Sequence, residues 1–104
     1  MTANLYARGT IWKFKPGKRE EAIKLVEGFQ DDIEESKGFR GLIILRSVDD
    51  PNEARFLAIW DSEESLKASE KGVYSKVSGK AMPLAEKPPE LKHFEIPSAR
   101  LSLI

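Results

Sequence analysis

Phe39-Arg-Gly-Leu-Ile-Ile-Leu-Arg-Ser-Val48 and, five residues on, Ala54-Arg-Phe-Leu-Ala-Ile-Trp60 decide the fold of this chain. Both are dense in aliphatic and aromatic side chains and read as β-strands. Asp49-Asp-Pro-Asn-Glu53 between them is a turn-forming cluster short enough to make a hairpin. An antiparallel sheet with one face in water alternates apolar and polar residues. Leu42, Ile43, Ile44 and Leu45 do not alternate, and neither do Phe56, Leu57, Ala58, Ile59 and Trp60. The hairpin is therefore apolar on both faces, and both need cover.

Working outward, Leu5–Lys15 is rich in aromatic and β-branched residues and predicts a first strand. Pro16-Gly17 closes it and opens a helix over Lys18–Lys37, where Ala22, Val26, Phe29 and Ile33 step by four, three and four, with Leu25 widening the stripe. Gly38 stands where a left-handed residue commonly ends a helix. The run Asp31, Asp32, Glu34, Glu35 reads as a solvated face. Beyond the hairpin, Asp61-Ser62 offers capping oxygens, with Glu64 three residues past Asp61 as in a capping box. A second helix starts at Glu63, breaks at Gly72, resumes through Val73, Val77 and Ala81, and ends at Met82-Pro83 and Pro88-Pro89. Leu91–Ile96 is the last strand. The order β-α-β-β-α-β predicts an α+β, ferredoxin-like fold with an antiparallel sheet. It occupies a single domain spanning 1–104, with a core over 5–97 and a tail at 98–104.

Composition narrows the possible functions. The 104 residues suit one domain, and surface scaling gives a folded monomer of roughly 5,900 Å². Seventeen basic residues balance seventeen acidic ones, which argues against a nucleic-acid partner. No cysteine is present, excluding disulfides, iron–sulfur clusters and thiolate catalysis. One histidine makes a zinc site an unexpected feature. No apolar run approaches the roughly 20 residues of a membrane span, and Met1–Arg8 does not read as a signal peptide. The expectation is a soluble, cytoplasmic protein without metal or cofactor.

Two helices cover one sheet face, and nothing in so short a chain remains for the other. Leaving four to six large side chains in water would forgo roughly 1.5–3 kcal/mol each and expose a patch larger than monomers carry. A two-fold homodimer packed sheet to sheet resolves this. The alternative is a monomer whose open face holds a large apolar ligand.

Lys15-Pro16-Gly17 closing the first strand, Gly38-Phe39-Arg40-Gly41 leading into the second, the Trp60-Asp-Ser-Glu-Glu64 junction and Leu84-Ala-Glu-Lys-Pro-Pro89 before the last strand form one pattern in order and spacing. In that pattern the chain resembles the antibiotic-biosynthesis-monooxygenase-like group of the dimeric α+β barrel superfamily, over residues 5 to 97. The resemblance implies two ferredoxin-like protomers packed into a barrel. It also implies one of three roles: cofactor-free oxygenation of phenolic or quinol-like molecules, haem degradation, or a small protein of unassigned activity.

Cofactor-free oxygenation needs a substrate that ionises to an electron-rich anion, an apolar pocket and donors for the developing oxyanion. Tyr6, Trp12 and Trp60 are the candidate substrate-binding residues. Trp60 occupies the strand-three tryptophan position that the resemblance marks, and both tryptophans equally suit core packing. Arg8, on the strand face of Tyr6, Thr10 and Trp12, is placed to clamp an anion or to pair with a carboxylate. Tyr74, just past the Gly72 break, is a candidate hydroxyl donor. His93 titrates near neutrality and is a candidate base or a structural histidine; it shares a strand face with Leu91 and Glu95.

The departures weigh equally. The helix histidine that many relatives carry about nine residues after the tryptophan is Ser69 here, and no histidine lies between Asp61 and Pro89 to hold a haem iron. Ser78-Gly79-Lys80 lacks the remainder of a phosphate loop, and Pro16-Gly17 stands where a dinucleotide fingerprint would begin. Ser62, Ser65 and Ser69 have no histidine partner for a hydrolase triad. Lys67, Lys71, Lys76 and Lys80 read as a solvated basic face. The expected function is a cofactor-independent monooxygenase on a small aromatic or quinol-like substrate. A non-catalytic ligand-binding or stress-response dimer is the alternative, and a structural dimer with a side-chain-filled barrel the third.

Overall fold

A computed structural model describes residues 4–103. Four strands form one antiparallel sheet: β1 (Leu5–Lys13), β2 (Phe39–Arg46), β3 (Glu53–Trp60) and β4 (Glu90–Ile96), in spatial order β2-β3-β1-β4. The helices are α1 (Arg19–Gly28), α2 (Gln30–Glu34), α3 (Glu63–Glu70) and α4 (Val73–Ala81), followed by a 3₁₀ turn at Met82–Leu84. The ferredoxin-like order is the one expected, and residues 97–103 form no regular element.

Several boundaries differ from expectation, each for a local reason. β1 stops at Lys13 because Phe14 turns to donate its N–H to the Asn52 carbonyl, 2.8 Å away, and bridges Ala85. Pro16 belongs to a turn and not to the helix: Lys18 N–H donates to the Lys15 carbonyl at 3.0 Å, with Gly17 at φ +78°. Proline then left-handed glycine at the two central positions is the type II signature. The first helical stretch breaks at Phe29 (φ −99°, ψ 11°), directly after Gly28. Glycine costs roughly 0.5–1 kcal/mol relative to alanine inside a helix, which makes this the weak link. The Asp61–Glu64 capping box does not form. Ser62 is the cap instead, its Oγ accepting the Ser65 N–H at 3.1 Å. Gly38 is left-handed as expected, at φ +82°.

The strand register sorts the hairpin's two apolar faces. Leu42 pairs with Ala58 and Ile44 with Phe56, and these lie on the same face as Trp60, Trp12, Thr10 and Arg8. That face meets the helices. Ala22, Ile23, Val26 and Ile33 of α1–α2, Leu66 of α3 and Val77 and Ala81 of α4 are buried. Trp12 and Phe14 stack at 5.6 Å within this core. Ile43, Leu57 and Ile59 point the other way, as does Phe94 of β4, which is 49% exposed; Leu45 is 48% exposed. The acidic run of α2 and the four lysines of the α3–α4 region are exposed, as solvated faces should be.

Candidate functional site

The helix-facing side of β1 brings polar groups into the core. Arg8, Thr10 and Trp12 alternate along it and all three are buried. Arg8 is 4% exposed, and its guanidinium stays charged because no ordinary environment deprotonates arginine. Its compensation comes from the end of α3. Nη1 donates to Ser69 Oγ at 2.7 Å and to the Leu66 carbonyl at 3.4 Å, and lies 3.6 Å from Glu70 Oε2. Ser69, where the resemblance marks a histidine, thus holds the arginine. Every hydrogen bond and ion pair described for Arg8 uses Nη1. Burial pulls the guanidinium below its ordinary pKa, and Glu70 acts against that pull.

Two aromatic rings flank this cation. Its central carbon sits 4.4 Å from the Tyr74 ring centroid and 5.7 Å from that of Trp60, both within cation–π range. Burial raises the Tyr74 hydroxyl above its usual pKa, with Arg8 opposing and Glu70 adding to the rise. Tyr74 is therefore a neutral hydroxyl across the physiological range, able to donate.

Arg8, Trp12, Trp60 and Tyr74 all line a cavity of about 70 Å³ between the sheet and helices α1, α2 and α4. Its remaining wall is almost wholly apolar, with Phe56, Leu42 and Val77 prominent, and holds no aspartate, glutamate or histidine. The two tryptophans differ. Trp12 Nε1 donates to Thr10 Oγ1 at 3.1 Å, so its polar group is spent inside the core. Trp60 is 1% exposed and its indole N–H has no hydrogen-bond partner among the described residues. Buried polar groups are nearly always paired, and leaving one unmade costs roughly 1–3 kcal/mol.

The structure places Tyr6 and His93 elsewhere. Tyr6 packs beside Trp60 and Leu66, and its hydroxyl donates to Glu95 Oε2 at 3.3 Å. The Glu95 charge, more than burial, raises its pKa. His93 pairs with Arg8 across the β1–β4 ladder, but its ring is at the surface, with Nε2 2.5 Å from Glu70 Oε2. It is absent from the cavity wall, and its side chain is linked to that of Arg8 through Glu70. Glu70 escaped the sequence reading because it resembles any solvated helix carboxylate. The available signal was spacing: Ser69 and Glu70 lie three and four residues past Leu66, on the helix face that packs down. Among the described residues, no three His, Asp or Glu side chains converge to hold a metal, and no helix is long and apolar enough to cross a membrane.

The model of the antibiotic biosynthesis monooxygenase family matches residues 6–77. The chain belongs to that family. The matched segment runs from β1 into α4, carrying Arg8, Trp12, Trp60 and Tyr74 and leaving out β4 with His93. No curated protein matches the chain. Solved structures share the family's fold at low identity. A protein of unknown function from Nitrosomonas europaea is 17% identical with a TM-score of 0.81, covering 96% of both chains. A variant of SnoaB, a cofactor-independent oxygenase from Streptomyces nogalater, is 16% identical with a TM-score of 0.76, covering 97% of this chain and 98% of its own. Rv0793 from Mycobacterium tuberculosis is 16% identical with a TM-score of 0.75, covering 94% and 99%.

Proposed function

We propose that this protein is a cofactor-independent monooxygenase acting on a small aromatic or quinol-like substrate whose oxygen is held at Arg8, Trp60 and Tyr74. The observation that carries this reading is an apolar cavity lined by the buried Arg8 guanidinium and by Trp60, whose indole N–H has no partner among the described residues. These three groups are all hydrogen-bond donors, so they fit an acceptor and favour an oxyanion. A phenol or enol bound there ionises more readily, because a nearby positive charge stabilises the anion. The electron-rich anion reduces oxygen directly: in an anthrone-type substrate the ring CH₂ becomes C=O, one atom of O₂ entering the product and the other leaving as water. The substrate supplies every electron. With no aspartate, glutamate or histidine among the described wall residues, the substrate proton leaves to solvent, and His93 with Glu70 serves to fix the position of Arg8.

We propose further that the protein works as a homodimer through its open sheet face. In support, Ile43, Leu57, Ile59 and Phe94 form one apolar surface. The chain exposes 7117 Å², where its mass predicts roughly 5,900 Å²; part of the excess is the exposed tail at 98–103. Sedimentation velocity should give twice the 11.7 kDa chain mass, and Leu57→Glu should yield a folded single chain. A wild-type protein that sediments as one chain at micromolar concentration would refute the dimer.

Turnover is tested by oxygen uptake with anthrone- and quinol-type substrates. Arg8→Met should lower kcat/KM by roughly 10–100-fold, the worth of a charge-assisted hydrogen bond, while circular dichroism stays unchanged. Arg8→Lys should recover part of the activity. The missing wall base favours a second reading, in which the cavity binds such molecules without converting them. In that case the ligands raise Tm and are recovered intact.

A further inference from the structure

The cavity at Arg8 is small. At about 70 Å³ it falls below the roughly 150 Å³ that accommodates a benzene ring and far below the 300 Å³ or more of ordinary ligand pockets. A ring whose oxygen reaches Arg8 and Trp60 must therefore extend beyond it. The wall formed by Val26, Ile33 and Leu42 shows where. The same three side chains also line a groove of about 280 Å³ between β2 and α1–α2. Phe39 and Ile44 continue its apolar floor, and β2 is an edge strand, so the groove lies at an open side of the sheet. Exposed Glu27, Gln30 and Glu34 form its rim.

We infer that cavity and groove are two halves of one site, and that its ligand is an elongated, largely apolar molecule with a single oxygen-bearing head. The head sits at Arg8 and Trp60, and the body passes Leu42 to lie in the groove. This rests on the reading of the cavity as an oxygen-binding site. Leu42, Ile33 and Val26 form the neck, so their size sets how thick a ligand can pass. The rim sets the chemistry of the far end: Glu27 and Glu34 repel a second anionic group there, so the ligand is at most a monoanion.

The test compares phenol with 4-pentylphenol by isothermal titration calorimetry on the intact protein. Each buried methylene tightens binding by roughly fourfold, so 4-pentylphenol should bind at least about tenfold tighter than phenol. Gln30→Trp, which fills the groove from an exposed helix position, should weaken 4-pentylphenol far more than phenol, whose ring reaches only the neck, and so remove that advantage. Gln30→Ala should keep it, showing that the loss comes from bulk. A 4-carboxybutyl phenol, dianionic when bound, should bind more weakly than 4-pentylphenol. If phenol binds and the pentyl group adds nothing, or if Gln30→Trp leaves the ratio intact, the groove is not part of the site. If Gln30→Trp changes sedimentation but neither affinity, the groove is a protein contact and the inference fails. If neither probe binds, the oxygen-site reading itself falls and takes this one with it.

Discussion

Gly38→Ala is expected to destabilise the protein by about 3 kcal/mol or more, lowering Tm by roughly 12–24 °C on the scaling for a domain of this size. Two costs combine. Gly38 sits at φ +82°, a left-handed conformation that a side chain adopts at roughly 1–2 kcal/mol. A Cβ there would also meet Asp61 Oδ1 at 2.4 Å, Ser65 Oγ at 2.4 Å and Ser65 Cβ at 2.6 Å. These atoms have little freedom to retreat. The Ser65 N–H and Oγ are both tied to the Ser62 cap, and the Asp61 N–H donates to the Gly38 carbonyl at 2.8 Å. Asp61 Oδ1 is already buried without a partner among the described residues. Relief therefore requires uncapping α3, the helix that carries Ser69 and Glu70 to Arg8. Gly79→Ala is the contrast, since Gly79 lies within α4 with nothing near its Cβ position. It should stabilise by roughly 0.5–1 kcal/mol through helix propensity. Urea unfolding of both variants checks the pair; a Gly38→Ala cost below 1 kcal/mol would show that the α2–β2 turn relaxes freely.

Trp60→Ala should cost about 3–5 kcal/mol, the range for deleting a buried aromatic side chain. Trp60 is among the largest fully buried side chains, packing edge-on to Phe39 at 5.6 Å and against Leu66 and Ala58. The informative companion is Trp60→Phe. It loses part of the packing but also removes an N–H that the folded state leaves unpaired, a liability of roughly 1–3 kcal/mol. The two effects nearly cancel, so stability should change by less than about 1 kcal/mol. Ligand affinity should nevertheless fall about tenfold, because the lost donor is the one that a bound oxygen satisfies. A Trp60→Phe variant that binds 4-pentylphenol as well as the parent does would leave the tryptophan a packing residue only.

The two-sided greasiness of Leu42–Leu45 and Phe56–Trp60 was legible without coordinates, because alternation is a local property of a strand. So were the order of elements, the break at Gly72 and the left-handed Gly38, since each depends on neighbours in the chain. The continuous helix over Lys18–Lys37 was overestimated because the periodicity of Ala22, Val26, Phe29 and Ile33 runs straight through a one-residue break. Its signal was Gly28. Of the two capping oxygens the sequence offers, Asp61 and Ser62, backbone geometry selects Ser62, and the Asp61–Glu64 box does not form.

The site divides along the same line. From sequence came the residue types and their strand face: Arg8 with Thr10 and Trp12, Trp60 at the end of β3, Tyr74 after the glycine break. Packing alone settled which of them meet. Arg8 reaches Ser69 across 61 positions, and His93 reaches Glu70 across 23. Such pairings depend on how the helices lie on the sheet, and no local rule encodes that. Tertiary structure also separated two identical indoles, one satisfied by Thr10 two residues away and the other buried with no partner among the described residues. A hydrogen bond between near neighbours is written into the chain, whereas the lack of one emerges only when distant segments close around the group.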